Sequence, residues 1–185
     1  MKYFLFIIII LFIAGCSNDN VKPTIDTSLK EGGELPSQES WNSTIVFSDS
    51  GKTKAILHTG HLRVFDKSQE TLFDQGLKVD FYDDNKVKTS TITSKRGKVN
   101  DATKDLYAID SVVAVSDSGT VVRTEELEFR NRDQKIVSDK FVTIVSPKET
   151  IKGYGFESDQ NLRNYVIYKI TYITRTDSTK TGPTK

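Results

Sequence analysis

Cys16 carries the clearest chemistry in this 185-residue sequence, in which it is the only cysteine. The residues before it, Ile13, Ala14 and Gly15, give the pattern of a lipobox, which the lipoprotein signal peptidase cuts. The thiolate of such a cysteine is the group that takes the lipid. We therefore predict that Cys16 becomes the lipid-modified first residue of the mature protein. The alternative is a short uncleaved anchor with a buried cysteine.

The segment before Cys16 has the composition of a secretory signal. Lys2 is its one charge, and the apolar run 3–14 follows. About 20 apolar residues are needed to span a bilayer, so this run is too short to cross one but suits the apolar core of a signal peptide. Because two or more acyl chains anchor a protein stably, the sequence predicts attachment to a membrane through lipid, outside the cytoplasm.

Few other residues suggest metal or catalytic chemistry. The only histidines, His58 and His61, are three apart. On a regular strand they would point to opposite faces, so we expect solvated histidines rather than a chelating pair. The run 83–85 (Asp-Asp-Asn) lacks the glycine and terminal glutamate of a calcium loop and is typical of a hairpin turn. We predict no metal site.

Motifs for enzymatic chemistry are also missing from the sequence. It contains no G-x-S-x-G nucleophile motif, and no helix signal follows Gly153 and Gly155, as a phosphate-binding loop would require. Carboxylates paired only in space stay possible. We predict neither an enzyme nor a cofactor.

The charge balance argues against binding to nucleic acid. Residues 1–15 carry only Lys2, so the mature chain keeps 25 basic and 25 acidic side chains with the two signs interspersed. A nucleic-acid binder would show a basic stripe.

The lone cysteine excludes an intramolecular disulfide, so the domain must be held by its own core.

Alternating apolar residues identify the elements of this domain as strands. Period-two alternation is typical of strands with one buried face, and turn signals such as 49–51, 83–85, 117–119 and 131–133 separate them. We therefore predict an all-β sandwich, jelly roll or barrel-like fold. The clearest alternation occurs at 77–81, 113–115, 127–129 and 142–144.

Composition divides the chain into four segments. We predict a signal peptide at 1–15, a lipid-anchored flexible tether at 16–43, one β domain at 44–174 and a disordered tail at 175–185. The tether is polar with Pro23, Gly32, Gly33 and Pro36, and the tail is rich in Thr, Lys and Ser. A loose repeat, in which Asp74, Asp110 and Asp139 each open an apolar strand, suggests stacked units; chance similarity among strands is the alternative.

An ordered series of short segments resembles the LptC family, in the lipoprotein form of Bacteroidetes-like bacteria. The match covers about residues 36–173 and follows the order of the family. Many LptC proteins use an N-terminal transmembrane helix, which the lipobox replaces here. The segments are 36–41, 45–55, 79–83, 90–94, 97–100, 110–112, the turn 118–119, 124–127, 136–139, 142–144, 151–159, 161–162 and Tyr165.

This resemblance implies an open two-sheeted β-jelly roll of many short antiparallel strands, similar to LptC and OstA domains. It implies a lipid-transfer subunit of the lipopolysaccharide export bridge, on the periplasmic face of the inner membrane. Such a subunit receives lipopolysaccharide from the inner-membrane ABC transporter (LptB, LptF and LptG) and passes it along an apolar groove to the periplasmic bridge protein LptA.

The groove and the partner edge are assigned on this resemblance. The C-terminal run 165–174 is the candidate edge strand, with Tyr165, Ile167, Ile170 and Tyr172 as partner residues; an ordinary central strand is the alternative. The candidate groove residues, which in an ordinary sandwich would form a closed core, are Leu62, Val64, Val79, Phe81, Leu106, Val113, Val115, Leu127, Phe129, Val142 and Ile144.

Two other functions stay open from the sequence alone. A lipoprotein β-sandwich that binds protein or glycan as a scaffold would have a closed core and aromatic platforms in loops; Trp41, the only tryptophan, gives this little support. A hydrolase would hold paired carboxylates inside a cleft.

Overall fold

The computed structural model describes residues 34–175 and forms an all-β domain of ten strands. The predicted all-β class is confirmed. Cys16, the predicted signal peptide, most of the predicted tether and residues 176–185 lie outside the described residues. None of the described residues forms a helix long and apolar enough to cross a membrane. The strands are β1 Gln38–Asp49, β2 Lys52–Phe65, β3 Glu70–Tyr82, β4 Lys88–Ser94, β5 Arg96–Asn100, β6 Leu106–Ser116, β7 Val121–Arg130, β8 Lys135–Val145, β9 Glu149–Asp159 and β10 Tyr165–Arg175.

The strands form one antiparallel sheet in nearly sequential order. Each strand pairs with the next along the chain, except that β4 and β5 are two pieces of one interrupted strand and both lie between β3 and β6. Within the described residues, β1 pairs only with β2 and β10 only with β9. The sheet therefore keeps two free edges, β1 and β10.

A line of irregular positions, which we call the seam, crosses the sheet. The register shifts between Thr59 and His61 in β2, between Ile109 and Val112 in β6, and between Ser138 and Phe141 in β8. At the same level, Gly76 and Gly155 have φ angles of 94° and 73°. Such bulges bend a strand and strengthen its twist. The seam therefore folds one sheet into two halves.

The three aspartates of the predicted repeat all lie on this seam. Asp74 comes directly before Gln75 and Gly76, both with positive φ, and Asp110 itself has a φ of 67°. Asp139 lies inside the irregular segment of β8. What the predicted repeat units share is thus the position at which a strand bends.

We call the two parts of the sheet half A and half B. Half A contains the buried residues Leu57, Val79, Ile92, Ala114, Val122, Val142 and Ile144. Half B contains the buried residues Leu62, Phe73, Val99, Leu106, Leu127, Ile136 and Phe156.

The two halves face each other across the core. The ring of Phe81 in half A lies 5.2 Å from the ring of Phe129 in half B, although their strands are far apart in the sheet. The turn between β9 and β10 links the halves as well, since the Ser90 hydroxyl donates to the Gln160 carbonyl at 2.6 Å. Leu162 of that turn is fully buried. This two-layered arrangement with open edges is consistent with the predicted jelly roll.

β1 begins at Gln38, six residues before the predicted start of the domain at 44. Gln38 to Asn42 are all exposed, and most of them are polar. The half of an edge strand that buries neither face shows no apolar alternation, so the sequence pattern does not reveal it.

Candidate functional site

Nine of the eleven candidate groove residues face the interior between the halves. Val64 and Phe129 are half-buried and pack against the core. The other seven are buried: Leu62, Val79, Phe81, Leu106, Leu127, Val142 and Ile144.

Val113 and Val115 lie on the outer face of the sheet, which corrects their assignment to the groove. Their neighbours Val112 and Ala114 are fully buried instead, and Val115 is 40% exposed. The run 112–115 is apolar on both faces, so alternation alone does not set its phase. The pairing of β6 with β4 and β7 sets it, because Ala114 lies opposite the buried residues Ile92 and Val122.

A cavity of about 750 Å³ opens between the two halves. Its rim consists of polar and charged residues from the turns: Asp49, Lys54, Lys104, Asn131, Arg132, Gln134 and Gln160. Its walls are apolar and come from both halves: Phe47, Ala55, Val79, Phe81, Val99, Leu106 and Phe129.

Four of these wall residues belong to the predicted groove set, and Phe47, Ala55 and Val99 do not. The alternation of Ile45 and Phe47 in β1 was the available signal for the first of them. Ala55 and Val99 are small or isolated, and only the pairing of Phe47 with Ala55 and the folding of the sheet bring them to the cavity.

The rim carries both signs of charge. The Lys54 ammonium donates to Asp84 at 2.6 Å, and this hydrogen bond raises the pKa of Lys54. Lys104 lies 4.0 Å from Asp101. Because neighbouring carboxylates offset these cations, the rim has no strong net charge. Asp49 is the one carboxylate among the residues that line the cavity, so its described lining offers no acidic pair of the kind a hydrolase uses.

A row of apolar side chains crosses the whole of half A from edge to edge. Each member lies directly opposite the next in the strand pairing, so all point to the same face. The row consists of Ile45, Leu57, Val79, Ile92, Ala114, Val122, Ile144, Ile151 and Ile173.

The row ends at the free edge strand β10. Ile173 lies opposite the buried Ile151 but is itself 46% exposed, and Ile170 lies opposite the buried Gly153 and is 53% exposed. Further along the strand, Tyr165 and Ile167 pack against the core. The inner apolar face of the sheet is thus uncovered at this edge.

Ile170 therefore shares a face with Tyr165 and Ile167, whereas regular alternation predicts the opposite face. The irregularity at Gly155 in the neighbouring strand reverses the alternation between Ile167 and Ile170. Tyr172 lies opposite Lys152, whose ammonium sits 5.5 Å from the tyrosine ring.

His58 and His61 lie on the same face of β2, so the prediction of opposite faces is wrong. Thr59 and Leu62 are the buried neighbours of the two histidines, because the kink at Gly60 reverses the alternation. The His58 Nδ1 is 3.0 Å from the Thr44 hydroxyl, whereas His61 contacts two carboxylates. Among the described residues, no group of three His, Cys, Asp or Glu side chains is arranged to hold a metal ion.

Two other depressions of comparable size are lined mainly by polar side chains. One of about 930 Å³ surrounds the turn between β9 and β10 and includes Asp133, Lys135, Glu149 and Asp159. The other, of about 480 Å³, lies on the outer face around Glu126 and Arg130. Neither has the apolar walls of the cavity between the halves, which is therefore our candidate site for an apolar ligand.

Comparison with known families gives a match over nearly the whole chain. The family model described as lipopolysaccharide-assembly, LptC-related, matches residues 3–172. The chain belongs to the LptC family. The ordered strand-turn segments of the sequence therefore reflect true membership of this family. No curated protein matches the sequence.

Proposed function

We propose that this LptC-family chain carries the acyl part of lipopolysaccharide in the cavity between half A and half B. A role in lipopolysaccharide export, at the periplasmic side of the inner membrane, follows from family membership. The finer proposal is that the chain receives lipopolysaccharide from the inner-membrane ABC transporter and passes it to the periplasmic bridge protein. The observation that carries it is the open cavity of about 750 Å³ with apolar walls from both halves.

The energetics favour an open groove over a closed pocket for this task. Burying an acyl chain of about a dozen carbons contributes on the order of 10 kcal/mol, at roughly 0.8 kcal/mol per CH₂. A fully closed pocket of that strength would release its cargo too slowly. A groove that covers the chain only in part holds it more weakly, so lipid pushed from behind by an ATP-driven transporter can move on without any catalysis here.

The apolar row across half A supports a path that runs from β1 to β10. It starts at Ile45 in one free edge strand and ends at Ile173 in the other. Free edges add strands from partner proteins through main-chain hydrogen bonds. We propose that the β1 edge faces the transporter and that the β10 edge pairs with the bridge protein, so that the groove continues from one protein to the next.

Site-specific photocrosslinking in cells tests the proposed lipid path. A benzophenone side chain at Phe129, in the cavity wall, should form adducts with lipopolysaccharide that depend on ATP hydrolysis by the transporter. The same probe at Val115, on the outer face of the same domain, is the matched control and should form none. A stable protein without adducts at Phe129 would favour a closed core and the scaffold function.

We also propose that Cys16 holds the chain on the membrane. The replacement Cys16→Ser should abolish incorporation of labelled fatty acid and move the protein from the membrane fraction to the periplasmic fraction. Lipid labelling that persists in this variant would contradict the proposed anchor.

A further inference from the structure

A cluster of four charged side chains and one indole ring joins three strands on the outer face of half B. The Nδ1 atom of His61 (β2) lies 2.7 Å from Asp74 Oδ1 (β3), and its Nε2 atom lies 2.7 Å from Glu39 Oε1 (β1). Arg63 donates to the other Asp74 oxygen at 2.9 Å. The ring of Trp41 stacks on the imidazole with 5.1 Å between centroids and 20° between planes.

This geometry favours a protonated imidazole. A neutral histidine has one N–H donor and one acceptor nitrogen, whereas the imidazolium donates from both nitrogens. Both nitrogens of His61 face carboxylate oxygens at distances typical of charge-assisted hydrogen bonds. A neutral ring would leave one nitrogen lone pair pointing at a carboxylate. An aromatic ring also attracts a cation above its face, and the His61 imidazole lies above the face of the Trp41 ring.

The charges around His61 agree with this assignment. The charged groups that face it are Glu39 from β1, Arg63 from its own strand and Asp74 from β3. With His61 protonated, two cations meet two anions; without that proton, the cluster carries one uncompensated negative charge. The hydrogen bond to Asp74, followed by the one to Glu39, raises the pKa of His61 against the opposing effect of burial.

Apart from this cluster, few side-chain contacts stabilise the N-terminal half of β1. Gln38 to Asn42 are all exposed, so this segment buries no apolar side chain. Asn42, with a φ of 51°, separates it from the half of β1 that packs Ile45 and Phe47 on the core. It is held by main-chain pairing with β2 and by the contacts of Glu39 and Trp41. Just before it, Ser37 donates to the Val64 carbonyl and the Glu34 carboxylate accepts from the Lys67 and Ser68 amides. Segments with so few buried contacts open locally at low cost.

We propose that Glu39, His61 and Asp74 form a pH-sensitive latch, which holds the N-terminal half of edge strand β1 on the sheet while His61 is protonated and releases it when His61 loses its proton. This inference goes beyond lipid transfer and does not depend on it. Because the folded-state pKa of His61 is raised, the stabilisation is complete below the reference value of 6.5 and is lost as the pH rises through the higher folded-state pKa.

The fluorescence of Trp41 provides a direct test, because Trp41 is the only tryptophan and stacks on His61. In the purified full chain, we expect Trp41 fluorescence to titrate with a midpoint above 6.5. The protection of the Trp41 amide against hydrogen exchange should fall over the same pH range, while that of Leu127 in the core stays constant. A midpoint at or below 6.5, an unchanged Trp41 amide or a parallel loss at Leu127 would overturn the latch.

Variants identify the titrating group. His58→Gln removes the only other histidine and should leave the curve unchanged, whereas a lost titration in this variant would assign the signal to His58 and overturn the proposal. His61→Gln should abolish the titration and leave the Trp41 amide weakly protected at every pH. If that variant does not fold, Glu39→Gln replaces it and should lower the midpoint; an unchanged midpoint would contradict the latch.

Discussion

Two neighbouring residues of β6 show how side-chain direction separates the interior from the outer face. Ala114 is fully buried between Ile92 and Val122, while Val115 is 40% exposed. The sequence pattern suggests the reverse, because valine is the larger apolar residue and Val113 and Val115 alternate around a small one. Small residues in the interior leave room for side chains from the facing half of the sheet.

This pair gives a matched test of the phase of β6. Ala114→Asp would bury an unpaired carboxylate and should destabilise the domain by several kcal/mol or prevent its folding. Val115→Asp should change the free energy of unfolding by only about 0.5 kcal/mol. Urea denaturation of both variants measures the difference, and equal losses would show that the assigned phase of β6 is wrong.

Asp80 is a buried carboxylate on the outer face of β3. Thr91 donates to it at 2.6 Å, and the ammonium groups of Lys78 and Lys88 lie 3.1 and 3.6 Å away. Burial alone would raise the pKa of Asp80, but the hydrogen bonds from Thr91 and Lys78 outweigh burial and lower it below 3.8. Its charged form therefore stabilises the fold above pH 3.8, and this contribution is lost as the pH falls through the lowered pKa.

We expect Asp80→Asn to cost about 1–3 kcal/mol of stability at neutral pH, because it weakens the hydrogen bonds that Thr91 and Lys78 donate to the charged carboxylate. The gap between the wild type and this variant should shrink as the pH falls below 3.8. Urea denaturation at several pH values measures this gap. Asp84→Asn is the control, since Asp84 is 64% exposed and should have a much smaller effect. A gap that stays constant down to low pH would contradict the role assigned to the Asp80 charge.

At the scale of elements, β10 differs from the strands in the middle of the sheet. Among residues 34–175 it pairs on one side only, and Tyr168, Ile170 and Tyr172 are more than half exposed. An exposed apolar edge strand is a site for pairing or aggregation unless a partner covers it. The proposed contact with the bridge protein would cover this edge.

Ile170→Asp should abolish crosslinking to the bridge protein, because it places a charge on the inner face where the groove would continue. Val46→Asp is the matched control, since Val46 is 56% exposed on the opposite edge strand and should leave that crosslink intact. Domain stability should change little in either variant. Normal crosslinking of the Ile170 variant would remove β10 as the partner edge.

At the scale of the whole molecule, we expect the two halves to unfold as one unit. Apart from β4 and β5, which each stop at the seam, the strands run from one half into the other. Unfolding of half A should therefore also disrupt the strand pairing in half B. The cavity between the halves is an opening in a single core and does not mark a boundary between two domains.

Native-state hydrogen exchange tests this coupling. The amides of Val122 in half A and Ile136 in half B, both fully buried, should exchange with the same opening free energy, equal to that of global unfolding. The N-terminal half of β1 and the exposed part of β10 should exchange at lower free energy. If half A opened well before half B, the seam would act as a hinge between independent units.

The sequence by itself determined the secondary-structure class, most strand centres, the turns and the family. These depend on local composition and on period-two alternation, which a single strand expresses without its neighbours. The sequence also allowed β10 to be predicted as an edge strand, because β10 is apolar on both faces and is the last strand in the chain.

Only the tertiary structure decided which residues share a face on the two sides of the seam. His58 and His61 were assigned to opposite faces on regular alternation, which the kink at Gly60 reverses, and regular alternation likewise fails at Ile170 beside Gly155. Val115 was assigned to the interior because the run 112–115 is apolar on both faces, so only the neighbouring strands set its phase. The seam arises where a broad, twisted sheet must bend to bury both halves against each other, so the neighbouring strands fix it and no single strand does. The cavity and the His61 latch depend on contacts between strands that local alternation does not encode.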